Sequence, residues 1–271
     1  MASIQLACET YTWQMPGETY KGKLDHIMGV MKKAGFTGIE AETSFFGPLA
    51  DPILMQEMLD KHQLELTALC HVEDWRHTQE TDAEKANADS WIEFLAHFPD
   101  TMYLLVQMPG KDRNQLGERQ TNLLNCINHI AQRATDKGIS CSYHPNSPQG
   151  SIFRTTSDYK ILLNGLNPRT IGYTPDVGHI AKGGMDPLET IKKYRETINL
   201  VHYKDMFANG EWAPTGEGII DFKGITNYLK ATEYTGWIVM EDECDRAITN
   251  PDGLTLTDGD YIRNHIVNLI S

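Results

Sequence analysis

Short apolar segments alternate with longer amphipathic ones along the whole chain, and few folds accommodate that rhythm. The short segments, at 4–8, from Gly38 onward, 64–69, 102–107, 139–143, 171–174, 200–202 and 237–241, read as strands. The stretches at 24–34, 53–61, 82–97, 119–137, 157–163, 187–194, 222–231 and 260–269 read as helices. Within 119–137, Leu123, Leu124, Ile127, Ile130, Ala131 and Ala134 share one face at helical spacing. Gly35 and Gly138 stop their helices, Gly35 as a left-handed cap would. Parallel strands require crossover connections, and eight strand–helix pairs can close on themselves. An open doubly wound sheet would show a glycine-rich turn after its first strand. Here that position reads Glu9-Thr10-Tyr11-Thr12-Trp13, which cannot approach a pyrophosphate closely. No linker or low-complexity stretch divides the chain. The expectation is an α/β fold, a single (β/α)8 TIM barrel occupying residues 1–271.

Composition narrows the functional classes. Lys and Arg total 24 against 37 Asp and Glu, a formal charge of −13. That field repels phosphate backbones and anionic lipid, so neither nucleic acid nor a membrane surface is an expected partner. Cys8, Cys70, Cys126, Cys141 and Cys244 are odd in number and never spaced C-x-x-C, which fits reduced thiols in the cytoplasm. The start, Met1-Ala2-Ser3-Ile4-Gln5, lacks the pattern of a signal peptide, and no apolar run approaches the roughly 18 residues a membrane span needs.

In a barrel, chemistry gathers where strands finish, because the loops there share one mouth. The finishing positions are Glu9, Glu40 with Glu42, His71, Gln107, His144, Asp176 with His179, His202 with Lys204, and Glu241 with Glu243. His144, Asp176, His202 and Glu241 come from four consecutive strands. Their mixture of imidazole and carboxylate suits one divalent cation, Mn2+, Mg2+, Co2+ or Zn2+. Alternation along the last strand turns Val239, Glu241 and Glu243 to one side and Met240 and Asp242 to the other. Glu241 is then the deeper ligand, and Glu243 meets an imidazole or a substrate hydroxyl. Gly178 is expected to make a tight turn that returns His179 to the mouth, and Gly183-Gly184 to let a loop lie near a ligand. Lys204 is placed either to stabilise an oxyanion or to pair with nearby acids. Trp13 and Phe46 are candidates to stack on a sugar face, and His71, Glu73, Gln107 and Arg113 to bind hydroxyls. No Arg/Lys cluster marks a phosphate site, so the expected substrate is unphosphorylated.

Four segments carry a resemblance: Gly35-Phe36-Thr37-Gly38-Ile39-Glu40, Asp176-Val177-Gly178-His179, His202-Tyr203-Lys204-Asp205 and Gly216-Glu217-Gly218-Ile219-Ile220-Asp221-Phe222. In this order they resemble the sugar phosphate isomerase/epimerase family, the xylose-isomerase-like group of metal-dependent TIM barrels. The ending Gly236-Trp237-Ile238-Val239-Met240-Glu241-Asp242-Glu243 is most similar to the inosose dehydratase branch, with the metal-dependent subunits of C-glycoside deglycosidases a second neighbour. The resemblance implies that Asp176, His202 and Glu241 bind a divalent metal, most readily Mn2+, and that His179 contacts substrate. The fifth strand departs from the family. Where Glu-Asn-His is usual, this chain reads Cys141-Ser142-Tyr143-His144-Pro145-Asn146. Either Ser142 replaces a glutamate ligand, or His144 is itself the fourth ligand.

That departure removes one of the two acids an epimerase uses and tilts the expectation towards a lyase. Proton abstraction α to the carbonyl of a keto-sugar, keto-glycoside or keto-inositol would be followed by β-elimination. His144 would be the base, with the metal and Lys204 sharing the developing charge and Glu241 in the same centre. The alternatives are a ketose isomerase or epimerase, and a non-catalytic sugar-binding barrel. A homo-oligomer or a small accessory subunit is compatible with the resemblance.

Overall fold

The computed structural model describes residues 3–270; Met1, Ala2 and Ser271 lie outside the described residues, and with them part of the N-terminal expectation. Eight strands form one curled parallel sheet: β1 (Gln5–Glu9), β2 (Gly38–Glu42), β3 (Glu65–Glu73), β4 (Met102–Gln107), β5 (Cys141–His144), β6 (Ile171–Tyr173), β7 (Val201–Tyr203) and, last in the chain, β10 (Trp237–Met240). A small antiparallel pair, β8 (Asp205–Met206) and β9 (Trp212–Ala213), sits between β7 and β10 in sequence. The order β6-β5-β4-β3-β2-β1-β10-β7 leaves β6 and β7 at its ends. Two single parallel bridges, Tyr173 to Ile198 and Asp176 to His202, join those ends. The barrel expectation holds, with its seam beside the site.

The helices are α1 (Leu24–Ala34), α2 (Pro52–His62), α3 (Asp82–Leu95), α4 (Leu116–Thr135), α5 (Thr156–Gly165), α6 (Val177–Lys182), α7 (Pro187–Tyr194), α8 (Phe222–Ala231), α9 (Asp245–Thr249), α10 (Pro251–His265) and α11 (Val267–Ile270). Side chains begin several of them. Asp51 and Asp186 accept backbone N–H groups ahead of Pro52 and Pro187, and Thr81 with Glu84 closes a capping box on α3. Gly35 ends α1 at φ 94°, where a Cβ would be strained. No helix among the described residues is long and apolar enough to cross a membrane.

The main core lies between sheet and helices, where Leu66, Leu69, Ile39, Tyr103 and Ile238 are buried. A smaller cluster of Ala7, Ala68, Cys70, Leu104, Leu200 and Val239 fills the barrel interior. Leu66 belongs to the first cluster and Ala68 to the second, although two residues apart they should face alike. The register explains this: Ile39 pairs with Leu66 but Glu40 pairs with Ala68, so Thr67 is an extra residue. Such a bulge turns every later side chain of β3 to the other face.

Candidate functional site

Inward alternation carries Ala7 to Glu9, Ala68 to Cys70, Leu200 to His202 and Val239 to Glu241, each from the apolar barrel interior to the polar mouth. A cavity of about 240 Å3 opens there, lined among others by Glu9, Tyr11, Glu40, Glu42, Cys70, Gln107, His144, His179, His202, Glu241 and Glu243. A larger cleft of about 400 Å3 lies at the opposite end, around Gly138, Ile171 and Asn199. It lacks a cluster of ligating side chains, and that end of a barrel serves stability.

His144, Asp176, His202 and Glu241 are all buried, and one ligand atom from each lies within 4.8 Å of the others. Asp176 shows how the chain orients them. It caps α6, accepting the His179 backbone N–H on Oδ1 at 2.7 Å, which leaves Oδ2 facing the mouth. Oδ2 has no hydrogen-bond partner, and neither ring nitrogen of His144 has one; their separation, Nε2 to Oδ2, is 3.6 Å. Orphaned buried polar atoms cost about 1–3 kcal/mol each, and a cation between the two residues would take up Asp176 Oδ2 and one ring nitrogen of His144. The donor set therefore fits a divalent ion. His202 is held between two carboxylates, with Nε2 2.9 Å from Glu40 Oε2 and Nδ1 3.4 Å from Glu241 Oε2. Burial opposes charging of this imidazole, but Glu40 and Glu241 outweigh it and hold its pKa up at about 10.

Lys204 is the central cation. Its Nζ lies 2.7 Å from Glu241 and 3.4 Å from Asp176, and it donates to Glu243 and, at 3.0 Å, to His179 Nε2. Burial opposes its charge, yet Asp176, Glu241 and Glu243 keep its pKa raised. In turn, Lys204 and His202 hold Glu241 well below the usual carboxylate range against burial. His179 hydrogen-bonds Ser147 Oγ through Nδ1 at 2.7 Å, and burial together with the Lys204 charge pushes its pKa down to about 3. It is thus a neutral imidazole, donating to Ser147 and accepting from Lys204. For Glu243, burial and the neighbouring Glu241 outweigh Lys204 and lift the carboxyl to about 7. That value suits a group that exchanges protons at neutral pH.

Beside this group, on β1 to β3, stand Glu9, Glu40 and Cys70, whose ligand atoms also lie within 4.8 Å of one another. Burial, Glu241 and Glu40 push Glu9 up, and burial with Glu9, Glu40 and Glu42 pushes up the Cys70 thiol.

The structure brings His144, His179, His202, Gln107, Glu241 and Glu243 to the cavity, with Asp176 and Lys204 buried against them. Ser142 is buried with its hydroxyl 2.6 Å from that of Thr174, and it is His144 whose ligand atom lies with those of Asp176, His202 and Glu241. Glu243 follows Glu241 to the same side, while the Asp242 side chain turns away towards Thr215 and Asp258.

Four expected substrate contacts lie away from the cavity: His71, Trp13, Phe46 and Arg113. The bulge at Thr67 turns His71 out of the barrel, between Tyr103 Oη at 2.7 Å and Asn87 at 3.1 Å, and turns Cys70 in. Trp13 is fully buried beneath α10 and donates to Asp252 at 2.8 Å; Tyr11 and Gln14 of the same loop face the cavity instead. Phe46 packs against Trp91 and Phe94, and Arg113 pairs with Asp158. Gly178 makes no turn. It lies in the first turn of α6, where a Cβ would sit 2.8 Å from the Lys204 carbonyl oxygen. Gly183 and Gly184 end α6 rather than line the cavity.

The closed α/β barrel thus gathers at its mouth two imidazoles, two carboxylates and a buried lysine, a donor set that could hold a divalent cation. The chain belongs to the xylose isomerase-like TIM barrel family, whose model matches residues 29–265. It is 28% identical over 300 residues to an inosose dehydratase of Bacillus thuringiensis (strain Al Hakam), covering 96% of this chain and 97% of that protein. In matches of about 30% identity to inosose dehydratases of Bacillus cereus and Geobacillus thermodenitrificans, the chain spans about half their length. The IolI protein, solved with a zinc atom, superposes with a TM-score of 0.75 at 15% identity, over 97% of this chain and 100% of that one. D-Allulose 3-epimerase from Methylomonas sp., in complex with D-allulose, superposes with a TM-score of 0.72 at 16% identity, over 98% of each chain.

Proposed function

We propose that this protein is a divalent-metal-dependent lyase of the dehydratase type, acting on an unphosphorylated keto-inositol, keto-sugar or keto-glycoside. The observation that carries the reading is the adjacency, in one cavity, of a four-donor set and the Lys204–Glu243 pair. The likeness to the Bacillus thuringiensis inosose dehydratase over nearly both full chains supports the substrate class. Among the described residues no arginine lines the cavity, and Lys204, buried beside it, is already engaged by Asp176, Glu241 and Glu243, which supports a substrate without phosphate. Five unpaired cysteines support a cytoplasmic location.

His144, Asp176, His202 and Glu241 would hold the ion, with Mn2+ the first expectation and Mg2+, Co2+ or Zn2+ the alternatives. When bound, the ion supplies Lewis-acid polarisation of a ketone oxygen. With His144 engaged as a ligand, the base is Glu243. Its carboxylate takes the proton α to the carbonyl, and the Lys204 ammonium keeps it in place by hydrogen bonding. The acquired proton can pass to the departing oxygen, so water leaves and the base is restored. Neutral His179 anchors Lys204 from the far side, and Gln107, whose amide donates to the Asp74 carbonyl at 2.9 Å, borders the substrate space.

The test is incubation with a keto-inositol with and without added Mn2+, followed by mass spectrometry. Loss of one water that depends on the ion supports the reading. An interconverted sugar of unchanged mass would identify an isomerase or epimerase, and tight binding without turnover would identify a sugar-binding barrel.

A further inference from the structure

The four-donor set leaves part of the mouth unexplained. Glu9, Glu40 and Cys70 line the same cavity from β1, β2 and β3, yet none of them belongs to that set. All three are buried, Glu40 completely, and one ligand atom from each falls within 4.8 Å of the others. Glu40 uses Oε2 for His202, but its other oxygen, Oε1, has no hydrogen-bond partner. A buried, unpaired carboxylate oxygen beside a thiol and a second carboxyl is a preformed half of a coordination sphere.

We propose that Glu9, Glu40 and Cys70 form a second, separate metal site selective for a thiophilic divalent cation such as Zn2+, Co2+ or Cd2+. Three protein donors leave one tetrahedral position facing the cavity. A thiolate discriminates by softness, so this site rejects Mg2+ and Mn2+, which the oxygen- and imidazole-rich set next to it accepts. Binding converts the Cys70 thiol to a thiolate and releases its proton to solvent. His202 touches Glu40 through Nε2 and faces Glu241 through Nδ1, so the two sites share a wall while using different ligands.

The experiment is equilibrium dialysis of the metal-stripped protein against Co2+, read by elemental analysis and by the sulfur-to-cobalt charge-transfer absorption. The wild type is expected to bind two ions per chain and show the band; against Mn2+ it binds one. Cys70→Ala, with Cys70→Ser as a second variant and circular dichroism to confirm folding, is expected to bind one Co2+ and lose the band. Asp176→Asn is expected to lose the other ion and keep the band, which separates this site from the one used in the proposed reaction. A wild type that binds a single Co2+ without the band overturns the proposal. So does a Cys70→Ala protein that retains two ions, or an Asp176→Asn protein that loses the band.

Discussion

Between β5 and β10 the mouth presents two imidazoles and two carboxylates, whereas from β1 to β3 it presents two carboxylates and a thiol. The same scaffold delivers both sets: one inward side chain from the end of each successive strand. They differ in how their charge is balanced. In the first sector the buried ammonium of Lys204 touches Asp176 and Glu241, and both carboxyl groups are held below their usual range. In the second, the charge of Lys204 is too weakly felt to offset burial and the neighbouring acids, and Glu9 and Cys70 are pushed up towards their protonated forms. The internal cation of one sector favours the ionised forms of Asp176 and Glu241; in the other, burial and neighbouring acids favour the protonated forms of Glu9 and Cys70.

The sharpest way to break the comparison is Asp176→Asn, which removes a donor and leaves Lys204 in place. Turnover of a keto-inositol is expected to fall by more than about 100-fold, measured as water loss at saturating Mn2+. Glu243→Gln is expected to lower kcat by roughly 100- to 1,000-fold while metal content is unchanged. In the wild type, activity should rise with pH through about 7 as the Glu243 carboxyl loses its proton, and the glutamine variant should lose that limb. Glu40→Gln touches both sectors, through His202 and through its free oxygen. It is expected to weaken Mn2+ binding by roughly 10- to 100-fold in a calorimetric titration.

A smaller effect concerns the back of β10. Asp242 and Asp258 are buried together there, and burial lifts Asp258 to about 6 from an ordinary 3.8. The folded state then binds more protons than the unfolded one between those values, so stability falls as pH rises from about 4 to about 6 and stays lowered above. Asp258→Asn should flatten that slope and raise unfolding stability at pH 7 by on the order of 1–3 kcal/mol in denaturant titrations. Smallest of all, Trp13→Phe removes the bond to Asp252, outside both sectors. It should cost about 1 kcal/mol of stability and leave turnover unchanged.

Much of the first sector was legible because its residues are polar types at the ends of apolar strands. His144, His202 and Glu241 stand at strand ends, where alternation carries each to the mouth, and Asp176 follows β6 and is fixed there by capping α6. The second sector was hidden twice. Cys70 reads as an ordinary reduced thiol in any composition argument, and uniform alternation along 64–69 cannot reveal that Thr67 is extra. One inserted residue exchanged Cys70 for His71 at the cavity wall. Trp13 failed for a related reason: the turn at Thr10–Trp13 directs Tyr11 and Trp13 to opposite sides, and only α10 decides which is buried.

Periodicity is a local property, repeated every two or three to four residues, so the chain alone determined eight strands, their helices, the closure into a barrel and the end at which polar side chains gather. Which polar groups meet is a long-range property. The bulge that aims Cys70, the cap that spends one oxygen of Asp176 and leaves the other, and the contact of Glu40 from β2 with His202 from β7 exist only when distant strands lie side by side. Tertiary structure decided those, because a side chain's ionisation and partners depend on neighbours that sequence spacing does not encode.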